Sequence, residues 1–213
     1  MKEQTVRIVL VRHGRTAWNS ESPTDVRFRG QADLELDGFG LRQAAATGRY
    51  VARRWPVHAV YASPMKRAVE TARAIAEAHG LTVQAFEGLL DIDFGHWQGR
   101  SLKQVEKEYP HVLRDWFRAP HTVQVPGGES LDDVQERVVA GLGIILPRHR
   151  GETVAMVGHS VVNRVFLCAV LGLGNDYFWR LRQSTCGVSV LEFPEDRAAT
   201  VEVLNDTSHL QDI

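Results

Sequence analysis

Two histidines in this sequence stand directly behind short apolar runs. His13 sits in Arg12-His13-Gly14 after Val6-Arg7-Ile8-Val9-Leu10-Val11, and His159 sits in Gly158-His159-Ser160 after Thr153-Val154-Ala155-Met156-Val157. Such a place lies in the crevice outside the carboxyl ends of strands, where α/β proteins put functional groups. Taken alone, Arg12-His13-Gly14 reads better as a turn histidine beside a surface arginine. Three further features reverse that reading. The first is His159 itself, because parallel strands in one sheet would bring both histidines to one edge. The second is Arg67, near the start of a predicted helix whose N-terminus carries free amide donors and a positive dipole end. The third is Asn19, six residues beyond His13, an uncharged donor suited to a phosphoryl oxygen. Two arginine forks, from Arg12 and Arg67, neutralise a dianion through parallel hydrogen bonds without a metal. Together these predict a phosphate-sized positive pocket.

The elements that must position these residues follow from periodicity. The β-branched run 6–11 suits a strand buried on both faces of a parallel sheet. Residues 38–54 place Leu41, Ala44, Ala45, Gly48, Val51 and Ala52 at helical spacing. His58 to Ala62 reads as a strand, and Ser63-Pro64 as an N-cap with proline at the first helical position, opening a helix through about Ala78. Further strands are expected at 82–86, 153–158, 188–193 and 200–204, the last as an edge hairpin partner. Between about Asp91 and Pro126 the pattern breaks into short aromatic pieces, including a helix capped by Ser101 with Gln104 three residues on. A helix from Ser130 to about Leu146, with Asp133 completing a capping pair, then resumes the core. Alternating strands and helices imply an α/β fold: three layers, α/β/α, around a mostly parallel central sheet. The chain reads as one domain over 1–213 with a small lid insertion at about 92–128.

Composition narrows the function classes. With 44% hydrophobic and 24% charged residues, the chain can bury an ordinary globular core. A net charge of −1 provides no overall pull towards nucleic acid or an anionic membrane, so any anion site must be local. Two cysteines, Cys168 and Cys186, without a CxxC pair, suit a reducing cytoplasm. No run approaches the ~20 apolar residues that span a bilayer, and no signal peptide is read. The nine histidines include no HxH or HExxH set, and arginines beside a metal would weaken its binding, so no metal is expected. Neither GxxxxGK[ST] nor GxGxxG follows a strand, which leaves no nucleotide-binding loop.

RHGRTAWN, SPMKRAVETA, DIDFGHWQG, PGGES and the GHS after a strand resemble, in order, the signature series of the histidine phosphatase superfamily. That branch contains cofactor-dependent phosphoglycerate mutases and small phosphatases, and the likeness runs from residue 6 to about 210. The resemblance implies a phosphoglycerate mutase-like fold and a phosphatase that hydrolyses small phosphomonoesters. It implies His13 as the nucleophile that becomes phosphorylated, Arg12, Arg67 and His159 as the phosphate pocket, and Asn19 as a further phosphate contact. It puts the proton donor in LLDIDFGHWQG, where many relatives carry glutamate and this chain has Asp91. Asp93 and Glu87 are the alternatives, although Asp93 before Phe94-Gly95 also reads as a turn residue. Ser160 stands where many relatives have glycine.

A neutral His13 is needed for attack, and neighbouring arginines would disfavour its imidazolium form. Asp91 should have a raised pKa to act as an acid. The compact lid and the stretches VNRVFLCAVLGLGNDYFW and NDTSHL look like small phosphatases, among them broad-specificity, α-ribazole and sugar-phosphate phosphatases. The alternatives are a cofactor-dependent phosphoglycerate mutase or a weakly catalytic phosphate-ligand sensor. Arg29 and Gln31 are candidates for the alcohol side, with Arg15 and the lid residues Trp97, Trp116, Phe117 and His121 nearby, although Trp116 and Phe117 suit a lid core better. No cofactor is expected. The expected partner is a small phosphorylated metabolite, with neither nucleic acid nor membrane and with a homodimer left open.

Overall fold

The computed structural model describes residues 4–19, 27–196 and 198–213. Its centre is a six-stranded sheet in the order β3-β2-β4-β1-β5-β6. The strands are β1 (Val6–Arg12), β2 (Ala59–Ala62), β3 (Val83–Ala85), β4 (Thr153–Gly158), β5 (Val188–Phe193) and β6 (Thr200–Asp206). Strands β3, β2, β4 and β1 run parallel, and β5 and β6 complete the sheet antiparallel. Parallel strands require crossovers, which α1 (Gly38–Arg54), α2 (Lys66–Glu77) and α5 (Leu131–Arg148) supply, while α6 (Ser160–Val170) leads from β4 to the antiparallel β5.

The pleat of β1 sorts its side chains into two cores. Ile8 and Leu10 pack with Met156, Val138, Ile145, Val162 and Phe166, whereas Val9 and Val11 pack with Val51, Ala68, Ala72, Ile75 and Ala155. Both faces are therefore covered, which is why β1 and β4 are continuous apolar runs rather than alternating ones. The three-layer α/β/α arrangement matches the sequence expectation.

Helix ends follow local chemistry. Asp37 caps α1 by accepting from the Gly40 amide, and Ser130 with Asp133 forms a reciprocal capping box on α5. Ser101 and Gln104 do the same for α3 (Leu102–Glu108). One cap differs from expectation. Helix α2 begins at Lys66, and its N-cap, Met65, makes no side-chain cap bond. Ser63 stands three residues before the helix, its hydroxyl accepting from the Met65 amide at 3.4 Å and meeting His159 Nε2 at 2.8 Å.

Segment 92–128 folds as a 3-10 turn at Gly95–Trp97, then α3, α4 (Pro110–Arg118) and a 3-10 turn at Pro120–Thr122. Its aromatics extend the core: Trp97 and Trp116 are buried and cross at 6.2 Å, and Trp116 meets Phe178 at 5.7 Å. Phe117, in contrast, is half exposed and stacks on Trp179 at 5.5 Å, so it lies outside the core of this segment. PGGES and DFGHWQG interlock through glycines, since a Cβ on Gly128 would stand 2.2 Å from the Asp93 carbonyl. Among the described residues, no helix is long and apolar enough to cross a membrane.

Candidate active site

The site is built by register. Arg12 pairs with Gly158 across β1 and β4, so His13 and His159 leave neighbouring parallel strands side by side, with ring centroids 5.1 Å apart. Ala62 pairs with Val157, which brings Ser63 to the same edge. Arg67, the second residue of α2, reaches in from the next crossover. Close packing holds this edge: a Cβ on Gly40 in the first turn of α1 would stand 2.0 Å from the Arg15 carbonyl, so α1 presses directly on the loop behind His13.

His13 is 1% exposed, and its Nδ1 lies 2.7 Å from the Gly14 carbonyl. A carbonyl only accepts, so Nδ1 carries the proton and Nε2 keeps its lone pair. Burial, then His159, Arg67 and Arg12, hold the ring pKa well below its ordinary value of 6.5. His13 is therefore neutral at physiological pH, with burial contributing more than the arginines do.

His159 has no exposed surface and is engaged at both nitrogens. Its Nδ1 accepts from Arg67 Nε at 3.1 Å, so its Nε2–H donates to Ser63 Oγ. Burial, then Arg67, Arg12, Arg29 and Arg137, likewise lower its pKa well below 6.5. Arg67 is also fully buried and is hydrogen-bonded at all three nitrogens. Its Nη1 donates to the Ala32 carbonyl, and its Nη2 donates to the Gly30 carbonyl and to Asp91 Oδ2 at 3.2 Å. Arg12 is less engaged, because Nη1 donates to the Gln183 carbonyl at 2.7 Å while Nε is buried without an acceptor among the described residues. Burial lowers the Arg12 pKa to about 9, which still leaves it charged at neutral pH.

Asp91 is 6% exposed, accepts from the Ile92 amide at Oδ1 and pairs with Arg67 at Oδ2. Desolvation raises its pKa against the pull of Arg67 and Arg29. The other two carboxylates stand elsewhere. Asp93 accepts from the Gly95 amide as a turn residue, and Glu87 is exposed at the start of a 3-10 turn.

A cleft of about 360 Å3 opens over His13 and Asp91. Phe28, Phe94, Leu102, Trp116, Phe117 and Trp179 form its apolar walls, and Arg27, Arg29, Ser160 and Arg164 its polar ones. Of the expected alcohol-side residues, Arg29 is in this lining, held by a bond from Nη1 to the Trp18 carbonyl. Gln31 is turned away and supports the Asp91 backbone through its side-chain amide at 3.3 Å. Asn19 closes the loop behind His13, its Oδ1 accepting from the amide and hydroxyl of Thr16 at 3.0 Å. Arg15 pairs with Asp37 and packs over Phe39 rather than lining the cleft. Trp97 is entirely core, and His121 sits on the exposed turn Pro120–Thr122. Sequence reasoning missed Ser63, Arg164 and Trp179. For Arg164 a signal existed, the one charged residue of the largely apolar α6. Among the described residues, no three His, Cys, Asp or Glu side chains gather to share a metal ion.

A doubly covered sheet with paired histidines and arginines at one edge is suited to phosphoryl transfer. The chain belongs to the histidine phosphatase superfamily, branch 1, whose model matches residues 8–207. It is a phosphatase, a phosphoric monoester hydrolase. It is 36% identical over 205 residues to phosphoserine phosphatase 1 of Hydrogenobacter thermophilus, a likeness covering 96% of this chain and 94% of that one. It superposes on Bacillus stearothermophilus YhfR with a TM-score of 0.88 at 28% identity, covering 97% and 100% of the two chains. A mycobacterial glucosyl-3-phosphoglycerate phosphatase superposes with a TM-score of 0.82, also at 28% identity, covering 96% and 100%. Relatives from Mycobacterium bovis and Mycobacterium tuberculosis, 34% identical, are longer, and this chain spans 55% of their length.

Proposed function

We propose that hydrolysis proceeds through a phosphohistidine on His13, with Arg12, Arg67 and His159 around the phosphoryl group and Asp91 as the proton donor. The observation that carries this reading is the Nδ1–H bond to Gly14, which leaves the Nε2 lone pair of a buried, neutral imidazole in the cleft. Nε2 attacks phosphorus, the ester P–O bond breaks, and the leaving oxygen takes the Asp91 proton. The Asp91 carboxylate then takes a proton from the water that attacks phospho-His13, which releases inorganic phosphate and restores both groups. The raised pKa of Asp91 suits both roles. Protonating it also weakens its ion pair with Arg67, so Nη2 can turn to a phosphoryl oxygen.

Arg12 and Arg67 supply fixed positive charge where the equatorial oxygens gather charge in the transition state, in a buried place where that is worth most. Segment 92–128 acts as the lid over the alcohol. The proposed setting is a reducing cytoplasm, in keeping with Cys168 and Cys186, which are unpaired, buried and pushed up to about 11 and about 12. The proposed partner is a small phosphorylated metabolite.

Rapid quenching during turnover of p-nitrophenyl phosphate, followed by peptide mass spectrometry at neutral pH, tests the intermediate. The expected result is one phosphoryl group on the peptide containing His13, absent in His13→Ala, which is also inactive. Phosphorylation elsewhere, or turnover by His13→Ala, would refute it.

A further inference from the structure

Arg164 is a cation of the cleft that the chemistry above does not use. It lies on α6 one turn after Ser160, and both residues line the cleft. Its Nε donates to the Leu181 carbonyl at 2.7 Å, and its guanidinium carbon lies 5.1 Å from the Phe178 ring centre and 4.9 Å from that of Trp179. Backbone and two rings therefore fix the plane of the group, and a fixed guanidinium loses little freedom on meeting a ligand. Nη1 and Nη2 bond to no described residue, and no described carboxylate pairs with them.

Charge accounting points the same way. With Asp91 protonated as the proton donor, Arg12 and Arg67 already balance a phosphoryl dianion, and the cleft cations Arg27, Arg29 and Arg164 stand in excess of it. Of these, Arg27 is exposed and Arg29 faces Asp91, whereas Arg164 meets no described carboxylate, and burial lowers its pKa to about 10. Retaining an unpaired, partly desolvated cation beside a substrate cleft costs stability unless a ligand supplies the counter-charge. Its position suits a substrate that spans the site. Arg12 is docked on the carbonyl of Gln183 and Arg164 on that of Leu181, two residues apart and hence at most about 7 Å along the chain. With Nε occupied, the free donors are the two terminal nitrogens, a fork that matches the two oxygens of a carboxylate.

We propose that Arg164 is a specificity-determining residue that holds a carboxylate on the alcohol part of the substrate, so that the preferred substrates are small phosphomonoesters of carboxylated alcohols. The inference rests on the reading that the phosphoryl group sits at His13 and Arg12.

The test compares matched substrates with and without the carboxylate: phosphoserine against phosphoethanolamine, and 3-phosphoglycerate against glycerol 3-phosphate. For the unaltered protein, kcat/KM should favour the carboxylated member of each pair by at least about tenfold, as a charge-assisted pair at a partly desolvated site implies. In Arg164→Gln each ratio should fall to near one, and in Arg164→Lys, which keeps the charge but loses the fork, to an intermediate value. Propane-1,3-diyl bisphosphate probes a second phosphate in place of the carboxylate. Ratios near one in the unaltered protein overturn the inference without any variant, as do high ratios that survive Arg164→Gln. A preference for the bisphosphate alone also overturns it. Failure of the His13 reading is distinguishable, because it would show as no phosphohistidine on any of these substrates.

Discussion

Replacing Asp91 with asparagine separates the proton-donor role from the structural one. The substitution keeps the volume of a side chain that is 6% exposed, but an amide offers one oxygen where the carboxylate uses two, Oδ1 for the Ile92 amide and Oδ2 for Arg67 Nη2. One buried donor is left unsatisfied, which costs about 1–3 kcal/mol. For a chain of this size that lowers Tm by roughly 2–12 °C, so the protein stays folded for assay. Loss of a general acid costs about 10²- to 10⁴-fold, or roughly 3–5 kcal/mol of barrier. That loss should fall on substrates whose leaving group needs the proton. For an alkyl phosphate, kcat/KM of Asp91→Asn should drop by about 10²- to 10⁴-fold, and for p-nitrophenyl phosphate by less than about tenfold. The pH profile adds a second check. Burial raises the Asp91 pKa, and the acid acts only when protonated, so alkyl phosphate turnover should fall as pH rises through that raised value, and Asp91→Asn should lose this limb. Equal losses on both substrates, or an unchanged rate on the alkyl phosphate, would refute the assignment.

Three further outcomes follow from the same geometry. His13 and His159 are buried with pKa values well below 6.5, so below about pH 6.5 the unfolded chain takes up protons that the folded one does not. Their stabilising contribution is complete above that pH and is lost as pH falls, at up to roughly 1.4 kcal/mol per pH unit for each group. Urea titrations at pH 7, 6 and 5 should show a shallower loss in His159→Gln than in the parent. Ser63→Ala strips the acceptor from the buried His159 Nε2–H and should destabilise the fold by about 1–3 kcal/mol, measured by thermal unfolding. Gly40→Ala forces a Cβ to within 2.0 Å of the Arg15 carbonyl unless the loop shifts. It should cost about 1–3 kcal/mol of stability and, because that loop carries His13, should lower kcat more than KM.

Much of this site is legible in the residues because strand register is a strong constraint. Two apolar runs ending in His13 and His159 had to lie side by side once they were read as parallel neighbours, and Arg12 pairs with Gly158 as that requires. Capping boxes at Ser101 and Ser130 were equally plain, because both partners lie within one helical turn. The contact of Ser63 with His159 was missed because a serine before a proline looks the same whether its hydroxyl serves only the following turn or also meets a histidine 96 positions away. Gln31 was a fair candidate by type, yet a side chain's direction across a turn is set by tertiary contacts, here with Asp91 and Gln98. Phe117 and Trp116 are neighbours on α4 and take opposite fates, one half exposed and one buried, because α4 is too short for its pattern to assign a face unaided.

The contacts around Arg67 give the site a second property. One guanidinium joins α2 to His159 behind β4, to the carbonyls of Gly30 and Ala32, and to Asp91 before segment 92–128. Pieces of chain that are far apart in sequence therefore meet at one charge, and the proposed anion site needs all of them in place. A phosphate analogue that binds there acts as a brake on unfolding of the whole molecule, adding about 2.7 kcal/mol at a hundred times its dissociation constant. Amides in β1, β4 and α2 should then slow their hydrogen exchange together, as one cooperative unit, when vanadate or phosphate occupies the cleft.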